Sequence, residues 1–140
     1  MNILFICSHN SARSQMAEGI ARSLFGSTAT IESAGAIPKQ VNPLAVEVMH
    51  EVGIDISKQY AKNFDELPLK FIVKIDYMIS LCKEADCPDM VSRTAKKLSW
   101  AMPDPANHEQ LTKDEQLELF RKSRDLIQTK LNEFKNELAL

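Results

Sequence analysis

The stretch Ile3-Leu4-Phe5-Ile6-Cys7-Ser8-His9-Asn10-Ser11-Ala12-Arg13-Ser14-Gln15-Met16-Ala17-Glu18-Gly19-Ile20 decides the fold. Its first five residues form an uninterrupted apolar run, the pattern of a strand buried on both faces of a parallel sheet. A short polar loop follows. Met16, Ala17, Ile20, Ala21 and Leu24 then recur at helical spacing, with Gly26 as the stop. Strand, polar loop and amphipathic helix in that order are the opening unit of an α/β sheet.

Outward from this unit the alternation continues. Thr28 to Ser33 reads as a second, β-branched strand, closed by Ala34-Gly35. Asn42 caps a helix with Pro43 in its first position; Leu44, Ala45, Val48, Met49 and Val52 line one face and Gly53 ends it. Residues 54–71 carry no clear period, and Pro68 opposes a long helix there. Asp76 to Leu81 reads as a third strand with Cys82 at its carboxyl end, and Lys97 to Trp100 as a short fourth. Thr112-Lys113-Asp114-Glu115 is a capping box. It opens a long helix whose apolar stripe runs from Leu117 to Leu138; Arg124 interrupts the stripe, which favours a helix lying on the sheet over a coiled coil. The expectation is one α/β domain over residues 1–140: an open sheet of about four mostly parallel strands flanked by helices. Ligands of such sheets sit at the carboxyl ends of the strands, where Cys7, Cys82 and Asp104 all fall.

Composition agrees. The chain has 140 residues, 44% of them hydrophobic and 26% charged, enough for a core under a charged surface. A net charge of -2 offers no basic field for nucleic acid or an anionic membrane, so any anion site must be built locally. No apolar run approaches the ~20 residues of a membrane span, and no signal-peptide pattern is present. Three cysteines, Cys7, Cys82 and Cys87, are an odd number in a chain that needs no staples. That usage fits a reducing compartment, the cytoplasm.

Cysteine, five residues and arginine between a buried strand and a helix make an anion cradle. Backbone N–H groups from Ser8 through His9, Asn10, Ser11, Ala12 and Arg13 to Ser14 are expected to curl around a tetrahedral oxyanion at the positive end of the helix. Arg13 would clamp two anion oxygens with its planar fork. The same donors stabilise a thiolate, which makes Cys7 the candidate nucleophile, with Ser14 placed to donate to its sulfur.

With these residues in view, the segment Phe5 to Gly19 resembles the signature of the thioredoxin-coupled arsenate reductases, relatives of the low-molecular-weight protein tyrosine phosphatases. The resemblance continues through Glu32-Ser33-Ala34-Gly35, Asn42-Pro43, Glu51 to Ser57, Leu81-Cys82 and Trp100 to Pro105. It implies a low-molecular-weight phosphatase-like fold and a thiol relay. Cys7 attacks arsenate, Cys82 attacks Cys7 and releases arsenite, and Cys87 takes over the disulfide, which thioredoxin or a similar dithiol protein reduces. It also implies Asp104 as general acid, phosphate and sulfate as substrate mimics, no bound cofactor, and a monomer. Ala106-Asn107-His108 lacks the aromatic pair with which many tyrosine phosphatases hold a phenyl ring. Ala12 stands where many reductases have a further cysteine, and the Cys82–Cys87 gap is shorter than in the best-known members. Asn10, Glu18 and Ser33 match residues of a potassium site seen in some members. Tyr60 and Lys62 replace the hydroxyl and carboxylate expected downstream, so no metal site is expected.

Three other readings compete. The same cradle serves a phosphatase acting on phosphate monoesters through a Cys7 phosphoenzyme. A non-catalytic oxyanion sensor would have no need of Arg13 and Asp104 together with Cys7. A zinc site from the cysteines with His9, His50 or His108 lacks a second cysteine pair.

Overall fold

The computed structural model describes residues 1–83 and 95–138. Four strands form one sheet: β1 (Asn2–Ile6), β2 (Thr30–Ala34), β3 (Tyr77–Ser80) and β4 (Lys96–Ser99). Their order is β2-β1-β3-β4, and every pairing is parallel. The helices are α1 (Arg13–Phe25), α2 (Pro43–His50), the short α3 (Leu69–Ile72) and α4 (Lys113–Glu137). Among the described residues, no helix is long and apolar enough to cross a membrane.

The alternation of β1 explains the layers. Ile3 and Phe5 point into the core shared with α1, α2 and α4, where they meet Met16, Ile20, Val48, Phe120 and Leu131. Leu4 and Ile6 point to the other face, against Leu67, Phe71, Ile75 and Met78. All four are fully or almost fully buried, as a central parallel strand requires. Burying each such side chain contributes about 1.5–3 kcal/mol of transfer free energy, before the entropic cost of ordering the chain. At the edge, β4 exposes Lys96 and Lys97, charges that discourage pairing with another sheet.

Boundaries differ from the sequence expectation where local hydrogen bonds intervene. The second strand begins at Thr30 because Gly26–Thr28 forms a 3-10 turn, with the Thr28 hydroxyl donating to the Phe25 carbonyl at 2.6 Å. Helix α2 stops at His50, so Val52 lies in the following turn, 49% exposed, and not on the helix's buried face; Gly53 then takes φ +78. The Asn42 cap is present, its side chain accepting from Leu44 N at 2.9 Å, and so is the Thr112–Glu115 capping box.

Arg124, the interruption in the α4 stripe, docks α4 on the end of α2. Its Nη1 donates to the Val48 carbonyl and to Glu51 Oε1, each at 2.8 Å. Arg121 adds a 2.7 Å bond to Glu51 Oε2. These guanidinium groups hold the Glu51 carboxyl down to about 2, chiefly through the Arg121 hydrogen bond and then that of Arg124. A depressed carboxyl stabilises the fold above its ordinary range and loses that effect as pH falls toward 2. Solvent exposure keeps the effect modest. The melting temperature of Glu51→Gln should therefore lie below that of the unmodified chain at pH 7. The gap should close between pH 4.5 and 2, as followed by circular dichroism; a gap independent of pH would contradict the assignment.

Candidate active site

The carboxyl ends of β1 and β3 lie side by side, with Leu81 N donating to the Ile6 carbonyl at 2.8 Å. This register sets Cys7 and Cys82 at the same edge of the sheet, both buried. Cys7 is a free thiol and Cys82 is disulfide-bonded. The Ser80 hydroxyl lies 3.6 Å from the Cys82 sulfur. Cys87, the third expected relay thiol, falls outside the described residues.

The loop from Cys7 to Arg13 is strapped from outside by residues 37–42. Ile37 N, Lys39 N and Asn42 N donate to the carbonyls of Ser8, His9 and Ser11 at 3.1, 2.9 and 2.9 Å. A trans peptide carries its N–H opposite its C=O, so these bonds turn the N–H groups of the same peptides away from the strap. Asn10 takes φ +49, a left-handed conformation that asparagine tolerates well. Gly35, at the end of β2, allows the loop to sit where it does. A Cβ there would stand 2.7 Å from the Cys7 carbonyl, 2.8 Å from Asn10 N and 2.9 Å from the Ser8 carbonyl.

Around the sulfur the donors converge. Ser14 Oγ is 2.8 Å from Cys7 Sγ. The Asn10 amide donates to Ser14 Oγ at 2.8 Å and to Ser33 Oγ at 2.9 Å. Arg13 opens α1, 3% exposed; its Nη1 donates to the Met102 carbonyl at 2.9 Å and the Leu81 carbonyl at 3.4 Å. Those bonds hold the guanidinium beside Asp104, whose Oδ2 is 3.8 Å from Nη2. Asp104 Oδ1 accepts from Ala106 N at 2.9 Å, which closes a local turn over residues 104–106. His9 donates through Nδ1 to the Ile37 carbonyl at 3.1 Å, since a carbonyl only accepts. Cys7, His9, Ser11, Ala12, Arg13 and Asp104 line a cavity of about 370 Å³, with Lys39 to Pro43, Ala106 and Asn107 completing its lining. A thiol and a guanidinium at the wall of one cavity suit an oxyanion.

Known proteins share this fold. The family model for low molecular weight phosphotyrosine protein phosphatases matches residues 2–140. The chain belongs to this family. Within it, the chain is similar to an arsenate reductase of Bacillus subtilis, at 40% identity over 134 residues covering 94% of this chain and 93% of the relative. Among solved structures it resembles an arsenate reductase in its phosphate-binding state, with a TM-score of 0.76, 30% identity and 97% of each chain covered. It also resembles a thioredoxin-dependent arsenate reductase of Corynebacterium glutamicum (TM-score 0.69, 26% identity, 97% of this chain and 62% of the other). The four-stranded parallel sheet is the fold of this phosphatase family, as its sequence resemblance implied.

The outer supports of the family's loop were not readable in advance. Gln15 donates through Nε2 to the Asn10 carbonyl at 2.9 Å, to Asn10 Oδ1 at 3.0 Å and to the Tyr60 carbonyl at 3.1 Å. Gln59 Nε2 in turn donates to Gln15 Oε1 at 2.8 Å. A glutamine inside an amphipathic helix carries no periodic signal; only its place among buried residues of α1 marks it.

Gly35→Ala should force the backbone of the loop to shift, because all three close contacts are main-chain atoms. The expected cost is about 1–3 kcal/mol of stability. Phosphate affinity, measured by calorimetry, should fall by more than about tenfold, roughly 1.4 kcal/mol or more. Unchanged affinity would show that the loop does not depend on this approach.

Proposed function

We propose that this chain reduces arsenate to arsenite, with Cys7 as nucleophile and Cys82 and Cys87 as relay thiols. The observation that carries the reading is the free Cys7 sulfur at the wall of a small anion cavity. It meets a hydroxyl at 2.8 Å there, and Arg13 lies in the same wall. The similarity to arsenate reductases over nearly the whole chain supports the substrate.

The electrons balance through three thiols. The Cys7 thiolate attacks arsenic(V), and an oxygen leaves as water, its proton supplied by Asp104 acting as general acid. The Cys82 thiolate then attacks Cys7 sulfur. The S–As bond breaks, its electron pair stays on arsenic, and arsenite departs with arsenic two electrons richer. A Cys7–Cys82 disulfide remains. Cys87 attacks Cys82 and frees Cys7, and an external dithiol protein reduces the Cys82–Cys87 disulfide. Thioredoxin is the proposed reductant, in line with the thioredoxin dependence of the Corynebacterium glutamicum relative. Ser8 to Ser14 hold the oxyanion, no bound cofactor is required, and the protein works as a monomer in the cytoplasm, where arsenate is detoxified.

A second activity, hydrolysis of small phosphate monoesters, uses the same cavity. Asp104 beside Arg13 favours it, since an acid there can protonate a leaving alcohol. Arsenate turnover with thioredoxin and its reductase should be lost in Cys7→Ser, Cys82→Ser and Cys87→Ser. Hydrolysis of p-nitrophenyl phosphate should be lost in Cys7→Ser alone. Normal arsenate turnover by the Cys82 and Cys87 variants would refute the relay.

A further inference from the structure

One carbonyl of the loop after β1 takes a different partner from its neighbours. The strap of residues 37–42 holds the carbonyls of Ser8, His9 and Ser11 from outside. Asn10, between them, has φ +49, and this left-handed step turns its own carbonyl out of line with the others. Its oxygen meets helix α1 instead, where Gln15 Nε2 donates to it at 2.9 Å. Gln15 is fully buried, and its amide has one orientation. Oε1 accepts from Gln59 Nε2 at 2.8 Å, so Nε2 faces the Asn10 carbonyl, Asn10 Oδ1 and the Tyr60 carbonyl, sharing two hydrogens among three oxygens.

The peptide that carries the Asn10 carbonyl also carries the Ser11 N–H, on its opposite edge because the bond is trans. A carbonyl held by Gln15 therefore turns the Ser11 N–H away from Gln15. Ser11 lines the oxyanion cavity and Gln15 does not. With this carbonyl secured, four successive peptides are fixed from behind, and the N–H groups of His9, Asn10, Ser11 and Ala12 are left for an anion. A buried carbonyl without a donor is costly, and its peptide rotates to find another partner. That rotation would take the Ser11 N–H out of the ring.

We propose that Gln15 is a positioning residue for the oxyanion, holding the Asn10–Ser11 peptide with its N–H toward the cavity. Gln15 touches no reacting atom and acts only through that peptide. Lys62 does not duplicate it, because the Lys62 main-chain N–H meets Asn10 Oδ1, at 3.0 Å, and not the carbonyl. The Lys62 ammonium is engaged elsewhere, 3.5 Å from Glu18 Oε1 and 3.6 Å from Glu32 Oε1, and with a cation already between these carboxylates the residues do not suit a potassium ion. Because Lys62 N keeps its hold on Asn10 Oδ1, the Asn10 amide still faces Ser14 when Gln15 is replaced, and the contact of Ser14 with Cys7 survives. The inference rests on the loop being the oxyanion cradle.

The test sets phosphate affinity of the reduced protein, measured by calorimetry, beside its melting temperature and its arsenate kinetics. Gln15→Met keeps the length of the side chain and loses the donor. Its dissociation constant for phosphate should rise roughly tenfold, the loss expected for one hydrogen bond to a charged group. The arsenate KM should rise by a similar factor while kcat stays within about twofold, since the bond removed serves bound substrate and transition state alike. A folded Gln15→Met with a lower melting temperature and unchanged phosphate affinity would overturn the proposal, because packing alone predicts that result. A fall in kcat at unchanged KM would overturn it as well. If Gln15→Met does not fold, Gln59→Met carries the test: it frees the Gln15 amide to turn and should weaken phosphate binding about threefold, and undiminished binding would again overturn the proposal. If the unmodified protein bound no phosphate, the cradle reading would fail instead, and the two failures are distinct.

Discussion

The orientation of one buried side-chain amide governs this site. Asn10 Oδ1 receives the Lys62 backbone N–H and the Gln15 side chain, so its nitrogen is committed to Ser14 and Ser33. A buried amide with its groups paired in this way has one orientation, because the flipped form would set donor against donor. Ser14 thereby becomes an acceptor on one side and a donor to sulfur on the other. The left-handed backbone at Asn10 places the amide where both serines can reach it.

The sheet makes that arrangement possible. β1 is flanked by β2 and β3, so the loop after it has neighbours on both sides. Gly35, following β2, lets the loop approach closely, and Leu81, following β3, lends its carbonyl to Arg13. Helix α1 then starts at Arg13, so the arginine is fixed at the helix's positive end as well as by the Met102 carbonyl. The residues that line the cavity come together because the strands are parallel and finish on one edge.

How far this was legible in the chain depended on whether the forces were local. The apolar run Ile3 to Cys7, the Asn42-Pro43 cap and the Thr112–Glu115 box are local signals, and each marked an element the structure contains. The cysteine-and-arginine loop was legible for the same reason. The resemblance supplied what spacing alone did not, the family. Residues 54–71 were not legible because distant groups hold their backbone. Lys62 N binds Asn10, the Lys62 carbonyl takes Gly35 N, and the Tyr60 carbonyl takes Gln15. The edge strand β4 offered little more than Leu98, since lysines serve there as well as apolar residues. Val52 was misplaced because nothing in the sequence says that the helix before it stops at His50.

The proposed chemistry stands on Cys7 being, among three cysteines, the one that attacks an oxyanion in the cavity it lines. The most direct measurement is site-resolved alkylation of the fully reduced protein at neutral pH, with and without phosphate. Cys7 is predicted to be modified first and to be protected by phosphate. Earlier modification of Cys82 or Cys87, or a Cys7 rate indifferent to phosphate, would contradict it.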